Sequence, residues 1–303
     1  MRYEEYLCKP IIIFGTGRSG TTIISDILFQ HEDLAWHNNF QELFPRIPQV
    51  NYIRRLFDNK WWRKTGMNTQ NNKKFFNWLA FRPIERYNFW EKITGSHIDF
   101  SRGFLLNTKA TEKDRICMRK LFAKMVKYQS RKRLAFKLTG PSRMEYLMSV
   151  FPDAVFVNVQ RKPIATVRSW LEVNFWQNKG KTKLWWTGAY SPEEEAMAEK
   201  LSSSPELITA FQYKKLSETT AYEISKLKPE IYEVQYEDFV KDAKGFIYSL
   251  MEKLNLKPSK LIDDFMANRV TIRNTQSAEE KEPYFTEEQK KNILHIVAPK
   301  AAV

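Results

Sequence analysis

A run of four apolar residues, Ile11–Phe14, leads into "GTGRSGTT" and then into an amphipathic stretch, and this pattern constrains the chain more than any other. The apolar run reads as a buried strand, while Ile23, Ile24, Ile27 and Leu28 recur at helical spacing. Strand, glycine-rich turn and helix in that order form an anion cradle. The backbone N–H groups of the turn and of the first helical turn have no internal partners and point at whatever binds there. Gly15 and Gly20 keep the frame of the ATP-binding loop G-x-x-x-x-G-K-[ST], with Thr22 at its hydroxyl position. Thr16, Gly17 and Ser19 complete the expected cradle. Thr21, however, stands where the phosphate-reading lysine belongs, and the one cation in the loop is Arg18. Such a loop suits a nucleotide whose transferable group carries less charge than a γ-phosphate and needs no metal.

Three more buried strands are expected at Arg133–Gly140, Asp153–Arg161 and Ile231–Val234. Helical patterns lie between them, notably "PSRMEYLMSVF", "PIATVRSWLEV" and "VKDAKGFIYSLMEKLNL". The alternation predicts an α/β fold, a P-loop-type parallel sheet flanked by helices. With 303 residues, 43% of them hydrophobic, and no repeat or Gly/Ser linker, one domain spanning 1–303 is expected. The segment from about 44 to 111 is rich in Trp, Phe, Arg, Lys and Asn without a strand period, and reads as a mostly helical insertion over the cofactor and acceptor cleft. A second aromatic-basic stretch, Asn174–Gly188, reads as a loop or lid. Two cysteines, Cys8 and Cys117, make neither a disulfide framework nor a metal pattern, so a reduced, cytoplasmic protein is expected. No run of 18 apolar residues occurs, so neither a membrane span nor a signal peptide is expected. The net charge of +14 attracts anions without choosing among a polyphosphorylated cofactor, an acidic polymer, nucleic acid and a membrane face.

"GTGRSGTT" resembles the 5′-phosphosulfate loop of sulfotransferases that use 3′-phosphoadenosine 5′-phosphosulfate (PAPS). In that family the loop is followed, more than a hundred residues on, by an Arg and a Ser eight positions apart. "VFVNVQRKPIATVRSW" supplies Arg161 and Ser169. "FKLTG" is similar to a strand end carrying Lys-x-His, with Lys137 lying 24 residues before Arg161. "VQYEDFVKDAKGFIYSLMEKLNL" resembles the family's YEDL…FLGL stretch. The resemblance implies that Gly15–Thr22 bind the phosphosulfate and that Arg161 and Ser169 bind the 3′-phosphate. Arg18 and Lys137 would then meet the leaving oxygen and the transferred group. The implied reaction moves a sulfonate from PAPS to an acceptor hydroxyl or amine, leaving adenosine 3′,5′-bisphosphate (PAP).

The general base stays open at this level. The Lys-x-His pattern puts Thr139 at the base position, and a threonine cannot hold a proton near neutral pH. Where other branches carry a Glu some twenty residues after the loop arginine, this chain has Asn38 and Asn39. The candidates are His37, Glu42, His97 and Glu85, the last within "FRPIERYNFW", which is similar to RP-x-E stretches of bacterial members and is slightly preferred. For the acceptor, Trp61, Trp62, Trp78 and Trp90, interleaved with Lys60, Arg63, Lys64 and Arg82, form either a sugar-stacking platform or the core of the insertion. A carbohydrate, as glycan or glycolipid, ranks ahead of a small hydroxylated metabolite. Two rivals remain. A P-loop kinase would need a carboxylate at a neighbouring strand tip, where Asn158 and Gln160 stand. A nucleic-acid binder would need a recognisable module, and neither a zinc-ligand pattern nor an RNA-binding strand signature is visible.

Overall fold

The computed structural model describes residues 4–57, 83–270 and 284–298. Among these, five strands form one sheet: β1 (Ile11–Gly15), β2 (Leu34–Trp36), β3 (Arg133–Thr139), β4 (Val155–Gln160) and β5 (Glu230–Gln235). All pairings are parallel and the order is β2-β3-β1-β4-β5. β1 is therefore central, with Phe14 opposite Leu138 on one side and Asn158 on the other.

The strands alternate their side chains between two cores, as a pleated ribbon covered on both faces must. Ile12, Phe14, Phe136 and Phe156 pack on one face with Met118, Phe122 and Val126 of the long helix Glu112–Tyr128. Ile11, Ile13, Val155 and Val157 pack on the other with Ile24 and Ile27 of α1 (Thr21–Leu28) and with Ile247 and Leu250 of the helix Ala243–Lys253. A third cluster joins Trp170 of α2 (Pro163–Leu171) to Trp176, Trp186 and the long helix α3 (Pro205–Leu227) through Ala210 and Leu216.

From β1 the chain passes to β2 and β3 on one side, then crosses to β4 and β5 on the other. The carboxyl ends of β1, β3 and β4 consequently open a crevice at the point where the strand order reverses, the place where open α/β sheets bind ligands.

Strand β2 escaped the sequence reading because three residues are too few to show a period. It is held instead by Trp36, whose Nε1 donates to the Phe29 carbonyl at 2.8 Å. The pattern through residues 240–256 resolves into two helices, Tyr236–Lys241 and Ala243–Lys253. Of the segment 44–111, the described parts carry only brief helices at Pro48–Tyr52, Ile53–Phe57 and Asn88–Ile93, separated by turns. Lys60, Trp61, Trp62, Arg63, Lys64, Trp78 and Arg82 lie outside the described residues. Trp90 is no platform: it is buried, its ring 4.5 Å from that of Phe100 and nearly parallel to it.

Gly20 takes a left-handed conformation, φ 94°, and a Cβ built on it would stand 2.1 Å from the Tyr236 ring. Gly188 has φ 86° but nothing within 4 Å of that position. Gly188→Ala should therefore cost about 1–2 kcal/mol from backbone strain alone, and Gly20→Ala clearly more. Equal losses of thermal stability in the two variants would show that the Tyr236 contact does not matter.

Candidate active site

The loop after β1 delivers Arg18 into the crevice in a left-handed conformation, φ 57°. Its Nε donates to Ser169 Oγ at 3.0 Å. Arg161, leaving the end of β4, donates from Nη1 to the Arg18 carbonyl at 3.1 Å and lies 5.1 Å from the Tyr236 ring. The two arginines and the serine thus meet at one place and line a cleft of about 750 Å³. Arg18 has its pKa pushed down, first by burial and then by the charge of Arg161. Neither guanidinium forms an ion pair among the described residues, although the charge of Glu172 acts on Arg18 in the opposite sense to Arg161. Two crowded cations lose free energy that a bound anion restores.

The loop itself fits a phosphate-like group. Helix α1 starts at Gly20 without a side-chain cap, which leaves its first-turn N–H groups to a ligand. Ser19 Oγ is buried in the loop with no hydrogen-bond partner. Thr16, Gly17, Arg18, Gly20, Thr21 and Thr22 line the cleft, while Gly15 and Ser19 lie beneath it as its floor. The residues present fit the phosphates of PAPS on these grounds.

Opposite the loop stands a second group of polar side chains. Lys137, near the end of β3, donates from Nζ to Thr22 Oγ1 at 2.9 Å and pairs with Glu85 Oε2 at 3.0 Å. Glu85 Oε1 accepts from the hydroxyl of Thr139 and lies 3.2 Å from Tyr87 Oη. Both partners of the Lys137–Glu85 pair are largely buried. One lysine therefore ties the anion loop to the one candidate base that lines the cleft.

The other candidates are elsewhere. His37 is buried, with its ring stacked 4.4 Å from Phe89. Burial pushes its pKa down to about 3, so it is a neutral packing residue and not a base facing the cleft. Glu42 Oε2 sits 3.4 Å from His37 Nε2 and accepts from the Phe89 backbone N–H at 3.1 Å, while burial raises its pKa. His97 is exposed on a loop and does not line the cleft. Asn38 caps the short helix Asn39–Leu43, its side chain accepting from the backbone of Phe40 and Gln41.

Several lining residues lie in stretches whose pattern gave them no particular place in the cleft. Trp170 packs beside Gly17, Trp186 beside Gly140 and Tyr236 beside Gly20, each filling space that only a glycine leaves. Asp26 and Tyr87 also line the cleft. The stretch Asn174–Gly188 forms a wall here: Trp176 and Trp186 are buried against Trp170, with ring centroids 4.5 and 5.3 Å from it.

The model of the Sulfotransferase family matches residues 10–260. The chain belongs to that family. Its members depend on PAPS, and family membership decides against the kinase and nucleic-acid readings. The fold of this sulfotransferase is similar to that of sulfotransferase STF9 from Mycobacterium avium, at 15% identity and TM-score 0.54, over 96% of this chain and 75% of that one. It is also similar to sulfotransferase STF1 from Mycobacterium tuberculosis H37Rv, at 14% identity and TM-score 0.50, over 97% of this chain and 78% of that one. No curated protein sequence matches significantly.

The buried His37 makes a pH prediction. In the folded enzyme it stays neutral down to about pH 3, whereas an unfolded histidine takes a proton below about 6.5. Its share of stability is therefore intact above pH 6.5 and drains away as the pH falls toward 3. Between pH 7 and 5 the loss comes to about 2 kcal/mol. His37→Gln should show a correspondingly smaller drop in unfolding free energy over that interval. Glu42, whose raised pKa acts in the opposite sense, is present in both proteins. Identical pH slopes would mean that His37 is not held neutral.

Proposed function

We propose that this sulfotransferase holds the phosphosulfate of PAPS on the loop Gly15–Thr22 and the 3′-phosphate on Arg161 and Ser169. Glu85 takes the proton of the acceptor hydroxyl. What supports the reading most is one observation: Lys137 bonds at once to Thr22 of the loop and to Glu85. Donor site and base are therefore within one side chain of each other.

PAPS, held by the loop Gly15–Thr22 with Arg161 and Ser169, would supply a sulfonate carried on a 5′-phosphate leaving group. The chain's own residues do the rest. Arg18 and the N–H groups at the start of α1 face the charge that grows on the phosphate. Lys137 faces the group in flight, and preorganised donors of this kind are worth on the order of 3 kcal/mol each in a transition state. The acceptor's proton ends on Glu85.

For the acceptor, a carbohydrate is the reading carried forward from the sequence, now on different residues. Phe175, 52% exposed, and Trp185 stand on the cleft wall. Lys179 Nζ lies 4.3 Å from the Trp185 ring. Ring faces beside a cation suit a sugar with acidic substituents. A cytoplasmic location belongs to the same proposal, supported by the two free thiols of Cys8 and Cys117. No helix among the described residues is long and apolar enough to cross a membrane.

Two variants test the reading. Arg161→Ala removes charge-assisted hydrogen bonds worth about 1.5–3 kcal/mol, so calorimetric affinity for PAP should fall about 10- to 100-fold while that for adenosine 5′-phosphate barely changes. Equal losses would take the 3′-phosphate away from Arg161. Glu85→Gln should lower kcat by about 10²- to 10⁴-fold on whichever member of a panel of hydroxylated acceptors releases PAP fastest. Full turnover in that variant would remove Glu85 as the base.

A further inference from the structure

Glu85 is held on three sides, and two of the three holders are hydroxyls. Oε2 pairs with Lys137 Nζ, Oε1 accepts from Thr139, and Tyr87 Oη lies 3.2 Å from that same Oε1. Tyr87 Oη is itself tied to the backbone of residue 139 twice. It lies 2.7 Å from the Thr139 carbonyl oxygen and receives the Thr139 N–H at 3.2 Å. The tyrosine hydroxyl therefore stands between two acceptors, the Thr139 carbonyl and the Glu85 carboxylate, with one proton to offer.

We infer that Thr139 and Tyr87 form a hydroxyl clasp that positions Glu85 in the cleft and serves it in both of its protonation states. While Glu85 is a carboxylate, the Thr139 hydroxyl donates to Oε1, and the Tyr87 proton can turn toward the same oxygen. Once Glu85 has gained the acceptor's proton, it can donate to Tyr87 Oη, whose own proton turns back to the Thr139 carbonyl. No proton leaves the cluster, and Glu85 keeps a hydroxyl partner in either state. The inference deepens the reading of Glu85 as the base and rests on it.

The surroundings keep the clasp in register. Thr139 ends β3 and is fixed by pairing to Gly15 of β1, so its hydroxyl has a rigid mount. Tyr87 keeps its proton: burial first, and the charge of Glu85 second, push its pKa up to about 12. Behind it lies Arg143, fully buried, 5.5 Å from the Tyr87 ring and bonded to the carbonyls of Gly103 and Pro141. The charged and titratable groups that face Glu85 are thus Lys137, Tyr87 and, behind Tyr87, Arg143. Thr139 and Tyr87 act through Glu85, so they are positioning residues.

A hydrogen bond donated to a carboxylate favours its charged form, and loss of the donor raises its pKa. The test is a pH titration of the PAP complex labelled with δ-¹³C glutamate, with the Glu85 resonance assigned by its absence in Glu85→Gln. Thr139→Val should raise the Glu85 midpoint by about half a unit or more, with PAP affinity within about twofold of wild type. Thr139→Ser, which restores the hydroxyl, should titrate as the wild type does. An unchanged midpoint in Thr139→Val overturns the clasp, as does a Thr139→Ser shift equal to that of Thr139→Val. The midpoint reads the clasp without any turnover, so loss of the base reading through an active Glu85→Gln would be a separate result.

Discussion

The anion loop, Lys137, Thr139 and Arg161 depend on three parallel neighbours, β3, β1 and β4, ending at the same level. Parallel strands bring their carboxyl ends to one edge, and the helices that follow bring their N-termini there as well. The anion loop comes from β1, Lys137 and Thr139 from β3, and Arg161 from β4. Shifting β3 by one residue against β1 would turn Lys137 to the opposite face, since side chains alternate along a strand. The pairing of Ile13 with Lys137 and of Gly15 with Thr139 is therefore as much a part of the site as the side chains themselves.

Charge divides the cleft into two halves with different resting states. On the loop side Arg18 and Arg161 crowd together without an ion pair among the described residues, and Arg18 has its pKa lowered first by burial and then by Arg161. An incoming phosphate removes a repulsion as well as adding attractions. On the other side Lys137 already has its counter-ion in Glu85. Arginine suits the first task because its planar fork grips phosphate and resists deprotonation. Lysine suits the second because its ammonium can donate to the loop hydroxyl and the carboxylate together.

Local patterns in the chain were easy to read, and meetings between distant segments were not. β1, β3 and β4 announced themselves as apolar runs and the glycine loop through its spacing, whereas β5, expected as a buried strand, is an edge strand on which only Val234 is buried. Arg161 and Ser169 could be paired because their eight-residue spacing resembles that of the family's arginine and serine. The pairing of Lys137 with Glu85 joins residues 52 positions apart and has no periodic signature. Nor does the burial of His37, which follows from Phe89 stacking on it. Trp90 looked like a candidate platform because exposure does not show in residue type, and its partner Phe100 settles the matter only in three dimensions. The aromatic wall was legible as composition alone. Its fit to the cleft comes from Gly17, Gly20 and Gly140, whose missing side chains admit Trp170, Tyr236 and Trp186.

Threonine at position 139 first reads as a defect, because it leaves the end of β3 without a proton acceptor. The structure shows it bonded to a carboxylate that comes from outside the sheet. With Glu85 as base, this exchange gives Lys137 a timed role. At rest the carboxylate neutralises the ammonium, so the charge of Lys137 does not add to those of Arg18 and Arg161. When the acceptor's proton arrives, Glu85 becomes neutral and the ion pair is discharged. Lys137 then presents its full charge toward Thr22 and the loop, at the stage when negative charge builds on the departing phosphate. At short range in a partly desolvated site such a change is worth kilocalories. An imidazole base would work in the opposite sense: its protonation adds a cation near the transferred group and leaves the charge of Lys137 unaltered. Under the proposed assignment of Glu85, proton removal and stabilisation of the leaving group would be coupled through a single ion pair.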